Sequence, residues 1–378
     1  MLPFSDLDFT GLAAFFVFTV LLAKVLLRRW LPYRHLLLGL SLFYLIFFFP
    51  KPFQLVGYIL FSYGTIWLLA NKYPKGNKLW GTVLLALPMI FLKAQWLTDW
   101  VTFAGLSYVS FRVIQVYMDH DNRKPFPNFL DFCNFLIFVP TLLIGPIDRF
   151  QRFQKDLHKG YANLDRTRWW SGWEDLLLGL FQKLVVAEAI PRYWLSELDP
   201  SSSDLWIQVQ SIYAYGAYLY FDFAGYSSLA IGLGKMMGID IPINFNHPYL
   251  AHNPKEFWKR WHKSLGDWLN DYFFRPIYKW LNGFKSLKSK PLLKQNLALF
   301  ATFALMGLWN GFKAHFILSG CLFGLFSVVH NSYVYYSRKQ GRDLVFQGVP
   351  EKVTRVISIL VLVHLCLVAI YIFSGRWF

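Results

Sequence analysis

The chain has 378 residues, of which 55% are hydrophobic and 20% are aromatic, and it carries a net charge of +16. An apolar content above the roughly 45–50% of soluble domains excludes an ordinary soluble protein. It predicts an all-α, polytopic membrane protein, with room for roughly ten spans of about 20 residues each. The excess of Lys and Arg is then typical of cytoplasmic loops that face anionic membrane lipids or an acidic partner protein, and it does not indicate nucleic-acid binding.

The first third of the chain alternates apolar runs with basic loops. A run that ends near residue 27, and runs at about residues 36–50, 53–70, 79–93 and 99–118, predict membrane spans. The intervening loops contain Arg28, Arg29, Arg34, Lys72, Lys75, Lys78, Arg123 and Lys124. Because basic loops stay in the cytoplasm, the N-terminus is predicted to lie outside the cell.

Residues 131–147 interrupt this alternation. The stretch is apolar but short, Pro140 and Pro146 break it, and basic loops flank it on both sides. We therefore predict a re-entrant segment, since irregular backbone at membrane depth requires protein or water around it. Residues 157–170 are amphipathic and basic, which predicts a segment on the inner membrane surface.

Further spans are predicted at about residues 172–190, 205–235, 295–312, 313–335 and 353–374. Residues 252–282 are too polar to span and too aromatic for solvent, so we expect helices that dip into the membrane from the cytoplasmic face. The sum is about ten crossings in a single domain, residues 1–378, with both termini extracellular.

His262 is the most informative polar residue of the dipping segment. Helical spacing places Trp258, His262 and Leu265 on one face of a helix. A histidine that faces the interior at membrane depth acts as a general base, a ligand or a hydrogen-bond donor. A structural histidine bonded to a backbone carbonyl is the alternative, and the residues alone do not decide.

Asp222 and Tyr226 lie inside an otherwise apolar span. An intramembrane carboxylate needs a partner, for which Arg260 and Lys235 are candidates, or it serves as a tether between helices. Asn246 belongs to the turn Asn244-Phe-Asn-His-Pro248, where asparagine is usually structural.

Three further polar positions have open roles. Asn310 ends one predicted span and is followed by His315 and His330, and an isolated Asn is most often an interhelical hydrogen-bonding residue. Asp148 and Arg149 form either an ion pair at a cavity mouth or a capped helix start. Three scattered cysteines, Cys133, Cys321 and Cys366, make no metal-binding pattern, so no metal is expected.

Several stretches together resemble the membrane-bound O-acyltransferase (MBOAT) family. They are GPIDRFQRFQKD (145–156), FDFAGYSSLAIGLGKMMGI (221–239), INFNHPY (243–249), EFWKRWHKSLGDWLNDYFF (256–274) and GLWNG (307–311). The resemblance covers about residues 80–335. It is closest to the bacterial branch with the D-alanyl transfer proteins and the alginate O-acetyltransferases, and Asp148 after Gly-Pro-Ile favours the D-alanyl side.

The resemblance implies a ring of about ten or eleven tilted transmembrane helices, with re-entrant helices, around a central tunnel. It implies two catalytic positions, which are His262 and a motif histidine that acts as the base for the acceptor hydroxyl and whose place is taken here by Asn310. Asparagine has no basic nitrogen at neutral pH. Three explanations are open: an engineered inactive variant, a natural homologue without activity, or a shifted site that uses His262, His315 or His330.

The resemblance also implies the substrates. D-alanine would arrive as a thioester on the phosphopantetheine of a small acidic carrier protein, and a hydroxyl of an extracellular glycopolymer such as teichoic acid would accept it, with no cofactor bound to the enzyme. O-acetyl transfer to a secreted polysaccharide, and non-catalytic carrier binding or transport, are the alternatives. We assign carrier docking to Lys255, Lys259, Lys263 and Lys279. The tunnel or supporting residues are assigned as Asp222, Tyr226, Asn246, Trp258, Arg260, Trp261, Trp309 and His330.

Overall fold

A computed structural model describes residues 7–72, 78–94, 105–121, 125–199, 202–341 and 349–378. Every regular element in these ranges is a helix, which confirms the all-α prediction. Contacts divide the chain into two compact units, Met1–Leu184 with Phe223–Ile243, and Val185–Asp222 with Asn244–Phe378. Lys75, Arg123, Lys124 and the beginning of the predicted span at 99–118 lie outside the described residues, and the single domain stays a prediction.

The first unit consists mainly of apolar helices that follow the predicted runs. They are α1 (Leu7–Leu26), α2 (Tyr33–Phe48), α3 (Pro52–Lys72), α4 (Lys78–Lys93), α5 (Leu106–Asp119), α6 (Phe129–Leu136), α7 (Val139–Leu142), α8 (Phe150–Lys159) and α9 (Arg166–Leu180). Proline at the first position of α3 suits a helix start, because the missing N–H has no intrahelical partner there.

A break separates α6 from α7 within the stretch predicted to be re-entrant. The buried Arg112 side chain lies at this break, where Nη1 donates to the carbonyl oxygens of Phe135 at 2.9 Å and Leu136 at 3.1 Å. Nη2 donates to the carbonyl oxygen of Thr141. The guanidinium thus satisfies carbonyl groups that the interrupted helix leaves open. Both helices are too short to cross a bilayer, and re-entrance itself stays a prediction.

Asp148 stabilises the start of α8. Its Oδ1 accepts hydrogen bonds from the backbone N of Arg149 at 2.5 Å and from Nε of Arg152 at 2.7 Å. Asp148 thus forms an ion pair with Arg152, one turn into the helix, while within the described residues no side chain caps the first N–H groups of α8. The amphipathic stretch 157–170 is divided, because α8 ends before Gly160 and α9 begins after Asp165.

The second unit combines long helices with four short ones. Its elements are α10 (Ala187–Tyr193), the first part of α11 (Leu205–Met236), α12 (Pro254–Arg260), α13 (Lys263–Leu269), α14 (Arg275–Leu281), α15 (Pro291–Asn310), α16 (Ala314–Lys339) and α17 (Glu351–Ser374). A π-helical segment, Asn270–Phe274, joins α13 to α14. The short helices α12 to α14 agree with a segment that does not span.

Four of the described helices, α3, α15, α16 and α17, are long and apolar enough to cross a membrane. The apolar parts of α1, α2 and α4 are shorter. These helices agree with a multi-pass membrane protein. The count of about ten crossings and the outer location of both termini stay predictions.

Close packing of α15 against α16 fixes the end of α15. A Cβ atom added at Gly320 would lie 2.6 Å from the carbonyl oxygen of Phe303 and 2.9 Å from Cα of Gly307. Small residues allow such an approach between apolar helices. The last residue of α15, Asn310, is therefore held by a tight helical hairpin.

Candidate active site

His262 lies in a break between two helices. Helix α12 ends at Arg260, α13 begins at Lys263, and His262 has the left-handed backbone angles φ 43° and ψ 49°. The prediction that Trp258, His262 and Leu265 share one face of a continuous helix is therefore wrong. A left-handed conformation costs a non-glycine residue on the order of 1–3 kcal/mol, and such strain often marks a functional position.

The break is built by pairing with an extended segment earlier in the chain. The backbone N of Asn246 donates to the carbonyl oxygen of Arg260, and the backbone N of Lys263 donates to that of Asn244, both at 2.9 Å. Between these two hydrogen bonds, one segment contains Phe245 alone and the other contains Trp261 and His262. The left-handed conformation of His262 accommodates the extra residue.

The side chain of Asn244 connects the two segments. Its Oδ1 accepts hydrogen bonds from Oγ of Ser264 at 2.6 Å and from the backbone N of Ser264 at 3.3 Å. The same oxygen lies 3.3 Å from Nδ1 of His262. Asn244 is 1% exposed, whereas Asn246 is exposed, so the contact to His262 comes from an asparagine that the sequence analysis did not select. The alternation of inward and outward side chains in an extended segment was the available signal.

His262 is neutral at neutral pH. It lies outside the spanning helices, and burial lowers the pKa of its imidazole to about 3. A neutral imidazole has one N–H donor and one nitrogen with a lone pair. It can therefore orient a hydroxyl group, and because burial opposes its protonated form it can take up a proton only in passing to another acceptor.

Aromatic side chains form a cluster around Trp261, which precedes His262 in the chain. The ring of Trp261 is nearly parallel to that of Phe257, with centroids 5.6 Å apart, and perpendicular to that of Phe245 at 5.2 Å. Trp258 packs edge-to-face on Phe323 at 4.8 Å. Within the described residues, Nε1 of Trp258 is buried without a hydrogen-bond partner. The predicted supporting residues Trp258 and Trp261 thus belong to one aromatic cluster.

A cavity of about 980 Å³ opens beside this cluster, between the short helices and the α15–α16 pair. Four basic residues of its lining are Lys255, Lys259, Arg338 and Lys339. Other lining residues are Trp258, Phe303, Met306, Ser327 and His330. Because Arg338 and Ser327 are eleven residues apart on α16, the cavity extends about 16 Å along that helix.

The two predicted catalytic residues, His262 and Asn310, are not among the residues that line the cavity. His262 lies between the lining residues Trp258 and Gly266 in the chain. Asn310 follows the lining residue Met306 by one helical turn, and its Nδ2 donates to the carbonyl oxygen of Met306 at 2.8 Å. Of the predicted alternatives, His330 lines the cavity, whereas Nδ1 of His315 lies 2.8 Å from the carbonyl oxygen of Phe373.

The predicted docking lysines divide into two groups. Lys255 and Lys259 line the cavity, and Lys263 pairs at 2.8 Å with Asp267, another lining residue. Lys279 is exposed on α14 and is not a lining residue. Sequence reasoning did not assign docking to Arg338 and Lys339, whose basic side chains near the end of a span were the available signal.

The candidate cations for Asp222 pair with other carboxylates. Lys235 contacts Asp175 at 2.5 Å, and Arg260 contacts Glu256 at 2.5 Å. Asp222 is the last residue of α11 that belongs to the second unit, and the buried Tyr226 belongs to the first. Within the described ranges, no group of three or more His, Cys, Asp or Glu side chains could hold a metal ion.

Similarity to known proteins extends over most of the chain. The model of the MBOAT, membrane-bound O-acyltransferase family matches residues 50–341. A teichoic acid D-alanyltransferase of Bacillus subtilis (strain 168) is 32% identical over 290 residues, which are 74% of this chain and 70% of that protein. A teichoic acid D-alanyltransferase of Streptococcus thermophilus is 30% identical over 77% of this chain and 74% of that protein.

A second group of relatives is named for another activity. The probable alginate O-acetylase of Pseudomonas fluorescens is 32% identical over 233 residues, which are 60% of this chain but only 44% of that protein. Both groups are named as enzymes that transfer an acyl group, and the family match covers most of the chain. The chain therefore belongs to the membrane-bound O-acyltransferase family.

Proposed function

We propose that this acyltransferase moves D-alanine from a carrier protein on the cytoplasmic side to hydroxyl groups of teichoic acid outside the cell. The observation that carries the proposal is the similarity to two teichoic acid D-alanyltransferases over about three quarters of the chain. The similarity to alginate O-acetylases covers less of this chain and under half of those proteins. The Gly-Pro-Ile-Asp148 motif also favours D-alanyl transfer.

The cavity supports entry of the acyl donor. Its basic residues Lys255, Lys259, Arg338 and Lys339 complement the phosphate of phosphopantetheine and the surface of an acidic carrier. Its inner wall of Trp258, Phe303 and Met306 suits a narrow, largely uncharged pantetheine chain. The donor thioester would then arrive beside the break that contains His262.

The reaction requires one transfer of a proton and no covalent enzyme intermediate. The hydroxyl oxygen of the acceptor forms a bond to the thioester carbonyl carbon, the carbon–sulfur bond breaks, and the hydroxyl proton passes to the leaving thiolate. A neutral imidazole can accept and then deliver this proton. We assign this role to His262, while Asn310 can only hold a hydroxyl or carbonyl group by hydrogen bonds.

The experiment that tests the proposal is transfer of labelled D-alanine from the loaded carrier to teichoic acid in proteoliposomes. The Asn310 form is compared with Asn310→His, His262→Ala and His330→Ala. Restoring a base at position 310 should raise the rate, by up to about 10²–10⁴-fold, and removing His262 should abolish it. Loss of transfer in His330→Ala but not in His262→Ala would assign the proton transfer to His330 instead of His262.

Two results would contradict the proposal. If an acetyl donor competes successfully with D-alanyl carrier and O-acetylated polysaccharide forms, the chain is an O-acetyltransferase like the alginate enzymes. If the carrier binds but no acyl group is transferred even after Asn310→His, the chain is a non-catalytic binding or transport protein. Unloaded carrier serves as the control in each case.

A further inference from the structure

We propose that Asn244 is a positioning residue that holds His262 in the tautomer with the proton on Nδ1, so that Nε2 carries the lone pair used in proton transfer. The role in transfer rests on the proposed function. The tautomer itself follows from the hydrogen bonds around Asn244 and can be tested without any activity.

The backbone of Ser264 fixes the orientation of the Asn244 amide. A backbone N–H can only donate, and the N of Ser264 lies 3.3 Å from the atom assigned as Oδ1 of Asn244. Rotating the amide by half a turn would place an NH₂ group against this N–H and against Oγ of Ser264 at 2.6 Å. The atom that faces Ser264 is therefore the carbonyl oxygen.

The amide orientation determines the proton on His262. Nδ1 of His262 lies 3.3 Å from the same Oδ1. An oxygen and a nitrogen lone pair at that distance would repel, whereas an Nδ1–H group donates to the oxygen. Since burial keeps the imidazole neutral, the second nitrogen, Nε2, then has no proton.

Asn244 also acts on the backbone on which His262 is placed. Its carbonyl oxygen accepts from the N of Lys263 at 2.9 Å, and its side chain accepts from the N of Ser264. These are the first two N–H groups of α13, which have no partner within that helix. Asn244 therefore both caps α13 and orients the imidazole ring. The alternative is that Asn244 only caps the helix, and the experiment must exclude it.

Solid-state NMR on protein labelled with ¹³C,¹⁵N-histidine, in liposomes, gives the direct test. Subtraction of the His262→Ala spectrum assigns the signals of His262. We expect a protonated Nδ1 and an unprotonated Nε2. A spectrum with the proton on Nε2 would overturn the proposal, whether or not the protein transfers any acyl group.

Variants separate the positioning role from the capping role. Asn244→Asp keeps an acceptor oxygen and should keep Nδ1 protonated, with turnover within about tenfold of the parent. Asn244→Leu should let the proton move to Nε2 and reduce kcat by about 10²-fold or more with little change in KM for the carrier. An unchanged tautomer in folded Asn244→Leu would contradict the proposal.

Ser264→Ala is the matched control. It removes the hydroxyl that donates to Oδ1 of Asn244 but retains the backbone N–H of residue 264. We expect the tautomer of His262 to stay as in the parent. If Ser264→Ala changes the tautomer as much as Asn244→Leu does, general loosening of the break accounts for both effects and the specific role of Asn244 is excluded.

Discussion

Each unit of the protein contains an interrupted helix, and the two interruptions are stabilised in opposite ways. Between α6 and α7 the open groups are carbonyl oxygens, and the guanidinium of Arg112 donates to those of Phe135, Leu136 and Thr141. Between α12 and α13 the side chain of Asn244 instead accepts, from the N–H of Ser264, and its backbone carbonyl accepts from the N–H of Lys263. The polar side chain in each case matches the backbone groups that the break exposes.

The two breaks differ in the other side chains that they contain. Arginine stays charged in proteins, and the described bonds of Arg112 at its break go to backbone carbonyls. The second break also contains the neutral imidazole of His262, which has one N–H donor and one nitrogen with a lone pair. A buried polar side chain at a break is thus structural when it only forms hydrogen bonds with the backbone. The break can form a functional site when a titratable side chain is also held there.

Removing His262 should have the largest effect on activity. In a form with measurable transfer, His262→Ala should reduce kcat by about 10²–10⁴-fold, because the proposed proton acceptor is lost. Labelled D-alanine transfer in proteoliposomes measures the change. His35→Ala, at an exposed histidine of α2, is the matched control and should transfer normally. Equal transfer rates in His262→Ala and His35→Ala would show that the break between α12 and α13 has no catalytic function.

Removing Arg112 should instead affect stability. Arg112→Leu leaves three carbonyl groups at the α6–α7 break without their donor, so the free energy of unfolding should fall by about 3 kcal/mol or more. Thermal unfolding in detergent measures the loss, and activity per folded molecule should persist. Arg28→Leu, at an exposed arginine, should leave the melting temperature nearly unchanged. A stable but inactive Arg112→Leu protein would show that the first break also has a catalytic function.

Charge reversal tests which lysines meet the carrier. Lys255→Glu with Lys259→Glu should raise KM for the loaded carrier by roughly tenfold, because two cations of the cavity lining become anions. The defect should shrink at high salt, where charges are screened. The control is Lys279→Glu with Lys285→Glu, at exposed positions outside the lining. A stronger effect of the control pair would place carrier docking on α14.

The smallest effect is expected from Asn246→Ala. The hydrogen bond of Asn246 to Arg260 uses its backbone N, and its side chain is exposed, so kcat should change by less than about twofold. The same transfer assay compares it with Asn244→Leu. A large loss on removal of the Asn246 side chain would mean that the two asparagines have exchanged roles relative to our proposal.

The sequence predicts the long helices well because hydropathy is a local property. The predicted spans at 295–312, 313–335 and 353–374 agree with α15, α16 and α17 to within about four residues at each end. The break at His262 could not be predicted in this way. It depends on a backbone pairing with Asn244, which lies eighteen residues earlier in the chain, and the spacing of Trp258, His262 and Leu265 is equally compatible with an unbroken helix.

The sequence also could not show which of Asn244 and Asn246 contacts His262. The two residues are identical in type and lie two positions apart, so composition and turn propensity do not distinguish them. Burial distinguishes them, and it depends on the partner segment. Carrier docking was predicted from basic residues of one segment, but the cavity also takes Arg338 and Lys339 from the end of α16.

The left-handed backbone at position 262 restricts which amino acids this position can accept. Glycine, asparagine, aspartate and histidine tolerate that conformation best, while β-branched side chains are strongly disfavoured. Among these four residues, histidine is the one whose ordinary pKa lies near neutrality. The geometry of the chain at this position therefore limits sequence drift to a few replacements, each of which exchanges a proton-transfer group for one less suited to it.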